Sequence, residues 1–215
     1  MDLLAIYRVF ENYFRPRRMR LFVARFGITN ETRVIDLGGT PFNWSLIDQK
    51  PHVTMVNIED GHGVAASYKE LDPSRHKLVI YDGHIVPFPD RSFNVCYSNS
   101  VIEHVGDADA VALFASEIRR LAPQYFVQTP NRWFFVEPHF IAPFVHWLPL
   151  VLKRKLIRWC SVWGWVNKVD QQTVDQYLHD IRLLSVKDMR SIFPDAEIVR
   201  EYFLGFTKSI IAIKR

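Results

Sequence analysis

Residues 34–44 read VIDLGGTPFNW. Val34, Ile35 and Leu37 around Asp36 have the apolar character of a short buried strand. Gly38 and Gly39 follow at once, and glycine lets the backbone take a positive φ and approach a ligand closely. A buried strand that empties into a glycine turn commits the chain to an α/β sheet whose ligands sit beyond the carboxyl ends of the strands. The turn then departs from a G-x-G-x-x-G loop. The third glycine is missing, Pro41 removes an amide donor, and Phe42 adds bulk. The loop retains donors and space for a ribose and an amino-acid group but little room for a diphosphate. A nucleoside is therefore favoured over a dinucleotide.

The rest of the chain alternates in the same way. RVIDLGG, HVTMVNIED, HKLVIYDG, SFNVCYSNS and QYFVQTPN read as five strands. Residues 42–50 and 107–121 read as helices between them, the second with Ala110, Leu113, Phe114, Ile118 and Leu121 inward. The N-terminus reads as two helices within residues 1–29, broken at Pro16, with Gly27 ending the second. SVKDMRSIFP reads as a last helix capped by Ser185. EIVREYFLGFTKSIIAIKR reads as two strands joined near Gly205, close enough to pair antiparallel at the sheet edge. Alternation stops after Asn131. Residues 131–185 are aromatic, proline-punctuated and basic, and hold every tryptophan except Trp44. The expected organisation is a single domain over 1–215 with a substrate-binding insertion at 131–185.

Composition narrows the class. The chain is 48% hydrophobic and 23% charged, as expected of a chain that buries a core. Cys96 and Cys160 are far apart and match no metal spacing, so both are expected to be reduced thiols of a cytoplasmic protein. Asp2 and the lack of a basic region before an apolar core argue against a secretory signal, and no run of about 18 apolar residues is present. The net charge is +4. It is concentrated in residues 1–30 and in residues 150–169, where Lys153, Arg154, Lys155, Arg158 and Lys168 stand without an acid. Two basic patches on an acidic body point to a local anionic partner.

Four polar clusters fall at strand ends. They are Asp36 with Gly38, Gly39 and Thr40; Glu59, where a carboxylate can accept both ribose hydroxyls; Asp82 with Gly83; and Ser98, Asn99 and Ser100. At this point a resemblance becomes visible. YDGHIVPFPDRSFNVCYSNSVIEHV, residues 81–105, together with VIDLGG, resembles the class I S-adenosylmethionine-dependent methyltransferases of the type 11 kind. The resemblance covers about residues 30–130 and the last two strands. It implies a Rossmann-like, mostly parallel seven-stranded sheet with an antiparallel last strand and helices on both faces. It implies S-adenosyl-L-methionine as cofactor, with Asp36, Gly38 and Gly39 along the methionine part, Glu59 at the ribose and Asp82 and Gly83 at the adenine. Asn94 stands where the family has Asp, and the first loop lacks its usual third glycine.

An oxygen acceptor needs a base or a metal. Glu103, His104 and His139 are the candidates, with His104 first because a histidine near neutral pKa suits proton abstraction. VIEHV and the later VEPHF also resemble metal-using members of the family, the small-RNA 2′-O-methyltransferases and ubiquinone-pathway O-methyltransferases. In these an E-x-x-E-H turn and a later His bind a divalent ion. Ser100 replaces the first Glu here, leaving Glu103, His104 and His139 as an incomplete set that Glu137 could complete. No metal is the expectation, with a divalent ion as the alternative. Asn131, Trp133, Glu137 and His139 are expected to face the acceptor. Val151, Leu152, Leu156, Trp159 and Trp163 share one helical side beside the basic residues, a pattern suited to peripheral contact with an anionic bilayer through 148–165.

GGTPFNW and NRWFFVEPHF resemble bacterial methyltransferases acting on surface glycans. The expected reaction is O-methylation of a small or lipid-linked saccharide-type acceptor. The alternatives are RNA 2′-O-methylation, with nucleic acid the weaker partner, and a non-catalytic membrane-docking scaffold that keeps the fold.

Overall fold

The computed structural model describes residues 3–58, 72–168 and 170–215, with side chains from residue 12 onward. Glu59 lies outside the described residues. The central sheet has seven strands: β1 (Arg33–Leu37), β2 (His52–Asn57), β3 (His76–Ile80), β4 (Val95–Asn99), β5 (Gln124–Pro130), β8 (Glu197–Phe203) and β9 (Phe206–Lys214). A small hairpin of β6 (Val136–Glu137) and β7 (Ala142–Pro143) stands apart. The strand order is β3-β2-β1-β4-β5-β9-β8. The first five strands are parallel, and β9 runs antiparallel to both β5 and β8. The order reverses beside β1, so β1 and β4 flank the switch point where such sheets take ligands.

Period-two alternation divides the core between the two faces. Ile35, Leu37, Cys96, Tyr125, Val127, Ile210 and Ala212 face one side. There they pack under α3 (Ala108–Leu121) and α7 (Val186–Ile192). Val34, Val95, Tyr97, Phe126, Ile211 and Ile213 face the other side, under α1 (Leu3–Phe26). In α3 the inward residues are Val111, Phe114, Ala115, Ile118 and Leu121. Leu113, expected inside, is exposed because the buried stripe runs one position away.

Two helix boundaries differ from the sequence reading. Pro16 does not break the N-terminal helix, and α1 runs through it. Pro16 cannot donate to the carbonyl one turn back, a cost of about 3 kcal/mol. Phe14, Met19 and Phe22, buried on both sides of it, offset that cost. The helix expected over 42–50 is a single turn, α2 (Pro41–Trp44), with Pro41 in its first turn.

The insertion forms α4 (Leu150–Cys160), α5 (Val162–Asn167) and α6 (Gln171–Asp180) around a separate core of Phe140, Ala142, Val145, Ile157, Trp163 and Val174. Its two ends meet in a parallel bridge between Asn131 and Leu184. The one-sided apolar helix expected over 148–165 is divided at Ser161, which caps α5. Trp163 turns inward, whereas Val151, Leu152 and Trp159 stay exposed. No helix among the described residues is long and apolar enough to cross a membrane. Cys96 is buried and Cys160 exposed, and both are free thiols.

Phe22 joins α1 to the sheet. Its ring centroid lies 5.0 Å from Tyr97, 5.6 Å from Phe126 and 6.0 Å from Trp44. Phe22→Ala leaves a cavity among rings that cannot collapse into it, and is expected to cost about 3–5 kcal/mol. The midpoint and slope of urea unfolding check this. A loss below 1 kcal/mol would mean that α1 is not bound through this residue.

Candidate active site

Asp36 lies one residue before the end of β1, and its carboxyl lies beneath the glycine turn. Trp44 Nε1 donates to Asp36 Oδ2 at 2.8 Å. Asp36 Oδ1 is buried and accepts no hydrogen bond among the described residues. Burial pushes the Asp36 carboxyl up to about 8, with the Trp44 hydrogen bond and Arg15 pulling it down. The two glycines answer to this packing. A Cβ on Gly39 would lie 2.2 Å from Asp36 Cγ. Gly38 has φ +71°, and a Cβ there would lie 2.4 Å from Val101 Cγ2. Gly38 N donates to Val56 O at 2.8 Å, and Asn57 Nδ2 donates to Gly39 O at 3.0 Å. Thr40 takes the N-cap position of α2 without a side-chain cap bond. At the end of β3, Asp82 Oδ1 accepts from His84 N at 2.9 Å, and Gly83 has φ +86°.

The second half of the site is a cavity of about 640 Å³. Asn99, Ser100, Glu103 and His104 line it from the turn after β4. Gln128 and Asn131 line it from β5 and its end, and His139 from the β6–β7 hairpin. Ser98, expected at the ligand, is instead buried and donates to Leu37 O at 3.1 Å, tying β4 to β1. Trp133 is exposed outside the cavity, and Glu137 lies behind His139.

Glu137 is 2% exposed. Its Oε1 accepts from His139 Nδ1 at 2.6 Å, and its Oε2 from Phe140 N at 2.7 Å. Both oxygens are committed, so Glu137 does not complete a ligand set with Glu103 and His104. Burial lowers the His139 pKa, but the hydrogen bond and charge of Glu137 outweigh it and leave that pKa raised. His104 meets the ring of His139 edge-on at 4.8 Å. Burial, then the charge of His139, pushes His104 down to about 4. Glu103 Oε2 accepts from Thr129 Oγ1 at 3.0 Å, while Oε1 is buried without a hydrogen-bond partner among the described residues. Burial pushes Glu103 up to about 7, against its hydrogen bonds and His139. Glu103, His104 and His139 each offer a donor atom within 4.8 Å of the others, close enough to share a divalent cation.

Among the cavity residues that escaped the sequence reading are Arg15, Arg18, Gln128 and Lys208. Arg18 carried a signal. It stands four residues from both Phe14 and Phe22, on the buried stripe of α1. Gln128 and Lys208 carried none, because neither breaks the pattern of its strand.

The model of the family described as a methyltransferase domain matches residues 38–124. The match covers less than half of the chain, and with the shared fold it supports an S-adenosylmethionine-dependent methyltransferase, the kind that the sequence motifs resemble. Solved structures of that class share its fold. A magnesium protoporphyrin IX methyltransferase from Synechocystis, crystallised with S-adenosylhomocysteine, superposes with a TM-score of 0.62 at 12% identity. That match covers 100% of this chain and 89% of the other. A SAM-dependent methyltransferase from Aquifex aeolicus matches at 0.55 and 11% identity over 91% and 87% of the two chains. A phosphoethanolamine N-methyltransferase from Haemonchus contortus matches at 0.55 and 18% identity, over 86% of this methyltransferase but 38% of that longer chain. No curated protein matches the chain by sequence.

The raised Asp36 pKa has a stability consequence. The fold favours neutral Asp36, so its contribution is fully present below the ordinary value of 3.8 and is lost as pH rises through about 8. Asp36→Asn keeps an acceptor for Trp44 and removes the titration. Between pH 5 and 7 the wild type is expected to lose about 2–3 kcal/mol relative to Asp36→Asn. Urea unfolding at each pH reads the gap, and a pH-independent gap would contradict it.

Proposed function

We propose that this methyltransferase moves the methyl group of S-adenosylmethionine to a hydroxyl of a small or lipid-linked saccharide-type acceptor, with His139 as the base. The observation that carries the base assignment is the Glu137–His139 hydrogen bond at the cavity wall. The sulfonium already activates the methyl group, so the protein has to position the acceptor and take its proton. With Nδ1 held by Glu137, proton transfer falls to Nε2 of His139. Glu137 is then a positioning residue that stabilises the imidazolium as it forms. His104 stays neutral across the physiological range and is a poorer proton acceptor than His139. On the cofactor side, the uncommitted Asp36 Oδ1 is a buried acceptor suited to an ammonium group, which would also favour the ionised carboxylate. In this reading Gly38, Gly39 and Thr40 follow the methionine part, Asp82 and Gly83 the adenine, and Glu59 the ribose.

A specific observation favours a second reading of the same cluster. A histidine that ligates a metal commonly donates its other N–H to a carboxylate, which describes Glu137 and His139 equally well. Glu103, His104 and His139 would then hold a divalent cation that acidifies the acceptor hydroxyl.

His139→Ala is expected to lower kcat by about 10²–10⁴-fold with S-adenosylhomocysteine affinity unchanged. Removing the Glu137 charge lowers the base's pKa, so Glu137→Gln is expected to move the acidic limb of the pH–rate profile to lower pH. Activity that survives a chelator supports the base. Activity lost to the chelator and restored by a divalent ion moves the assignment to the metal. Full activity in His139→Ala would remove both readings.

The lipid-linked part of the proposal draws support from an aromatic rim. Trp133 packs near Trp147 at 6.3 Å, Trp147 near Phe144 at 5.4 Å, and Phe135 near Phe206 at 5.2 Å. Phe135 also lines the cavity, so the rim adjoins its mouth. Phe144 stands exposed in the left-handed region at φ +61°. Exposed rings beside Arg132, which lies over the Trp133 ring, suit an anionic bilayer better than RNA, whose backbone would leave the apolar surface wet. Sedimentation with phosphatidylglycerol vesicles is expected to carry the protein down, and Trp133→Ala/Trp147→Ala to weaken it at least fivefold. Equal binding to phosphatidylcholine vesicles, or none to either, would remove the bilayer contact.

A further inference from the structure

One corner of the cavity is cationic. Arg15 and Arg18 reach it from α1, and Lys208 from β9. The carboxylate among them is Glu201 on β8. Arg18 takes it with both arms, Nε to Oε1 at 3.1 Å and Nη2 to Oε2 at 2.6 Å. Arg18 Nη1 also donates to Gln128 Oε1 at 2.9 Å and to Asn99 Oδ1. Arg18 is therefore a finished structural element. Arg15 Nη1 donates to Asn43 Oδ1 at 3.3 Å, which turns it toward the glycine loop.

Lys208 is different. It lies 4.3 Å from the ring centroid of Phe14, and its hydrogen bond is a long one to Ser209 Oγ at 3.2 Å. Burial, then the charge of Arg18, pushes its ammonium down to about 8, with Glu201 acting the other way. A partly buried ammonium with its carboxylate already taken by an arginine is costly. A Met of similar length would fill the same space without that cost. An arriving anion would remove it.

We propose that Lys208 forms a subsite for an anionic group, a phosphate ester or a carboxylate, carried by the methyl acceptor. This rests on the methyltransferase reading, which makes the cavity the acceptor's. The cofactor's own carboxylate is the other source of such an anion. The sheet argues against it: β9 lies three strand spacings from β1, roughly 14 Å. Asp36, Gly38 and Gly39 do not line this cavity. The acceptor assigned here is a hydroxyl compound that carries its own negative charge, held at one end by Lys208 and deprotonated at the other.

Calorimetric titration of the protein saturated with S-adenosylhomocysteine tests this, with phenyl phosphate, benzoate and benzyl alcohol as probes of similar size and different charge. At least one anion is expected to bind ten or more times tighter than the alcohol, and the better anion identifies the group. Lys208→Met and Lys208→Gln, checked for native circular dichroism, are expected to lose that preference, and Lys208→Arg to keep most of it. S-adenosylhomocysteine affinity is expected to be unchanged in all three. No anion preference, or a preference that survives both neutral variants, overturns the subsite. Displacement of S-adenosylhomocysteine by phenyl phosphate overturns it in favour of the cofactor's carboxylate. If S-adenosylhomocysteine itself fails to bind, the methyltransferase reading falls, and the same probes on the unliganded protein still decide the subsite.

Discussion

The hydrogen bond from Trp44 to the buried carboxyl of Asp36 organises the ligand end of the sheet. It explains why the loop after Gly39 is not a phosphate cradle. Thr40 starts one helical turn, Pro41 fits its first position, and the turn carries the Trp44 indole back over β1. Trp44 then joins the ring cluster of Phe22 and Tyr97, so the loop is anchored to the core on the α1 face. Gly39 has to be glycine because the Asp36 carboxyl occupies the space a Cβ would need. The missing third glycine is thus the counterpart of an indole that holds the acid from within. The geometry suits a nucleoside with an amino-acid group and leaves a diphosphate without its usual amide donors.

The two neighbouring imidazoles show how position on the fold divides chemical roles. His104 and His139 lie edge to face and share a cavity wall, yet their proton affinities move in opposite directions. The difference is Glu137. It is buried, fully hydrogen-bonded, and points one oxygen at His139. His104 has burial and a neighbouring positive charge acting on it instead. Such divergence between adjacent groups is a common mark of acid–base sites, although structural networks produce it as well.

The sheet was legible because its signals are local. Strands of alternating or continuous apolar residues with turn residues at their ends mark a parallel sheet, and the resemblance carried by residues 81–105 implies the antiparallel last strand. Helix boundaries were less legible where packing overrides local preference. Pro16 reads as a break, yet the core residues on both sides carry α1 through it. The loop at 42–50 reads as a helix, yet it is helical for a single turn that ends at Trp44. In the site, Glu103, His104 and His139 were identifiable as residue types. Their difference in environment was not, because the Glu137 partner of His139 is set by the four-residue connection of the β6–β7 hairpin. Lys208 was invisible for the same reason: its meaning comes from an arginine 190 positions earlier in the chain.

The two ends of the insertion are joined to each other, and its C-terminal end is joined to the turn that carries Glu103. Asn131 bridges Leu184, Arg132 N donates to Leu184 O at 2.9 Å, and Arg182 N donates to Glu103 O at 2.7 Å. The backbone of the residue whose carboxyl faces the two imidazoles is therefore held by the last residues of the insertion. His139 comes from the start of the same insertion. An acceptor seated against the aromatic hairpin would thus press on elements that also set the spacing of Glu103, His104 and His139. If His139 is the base as proposed, recognition and proton transfer would share one backbone frame, and a change in acceptor fit would reach the spacing of the base without a separate moving part.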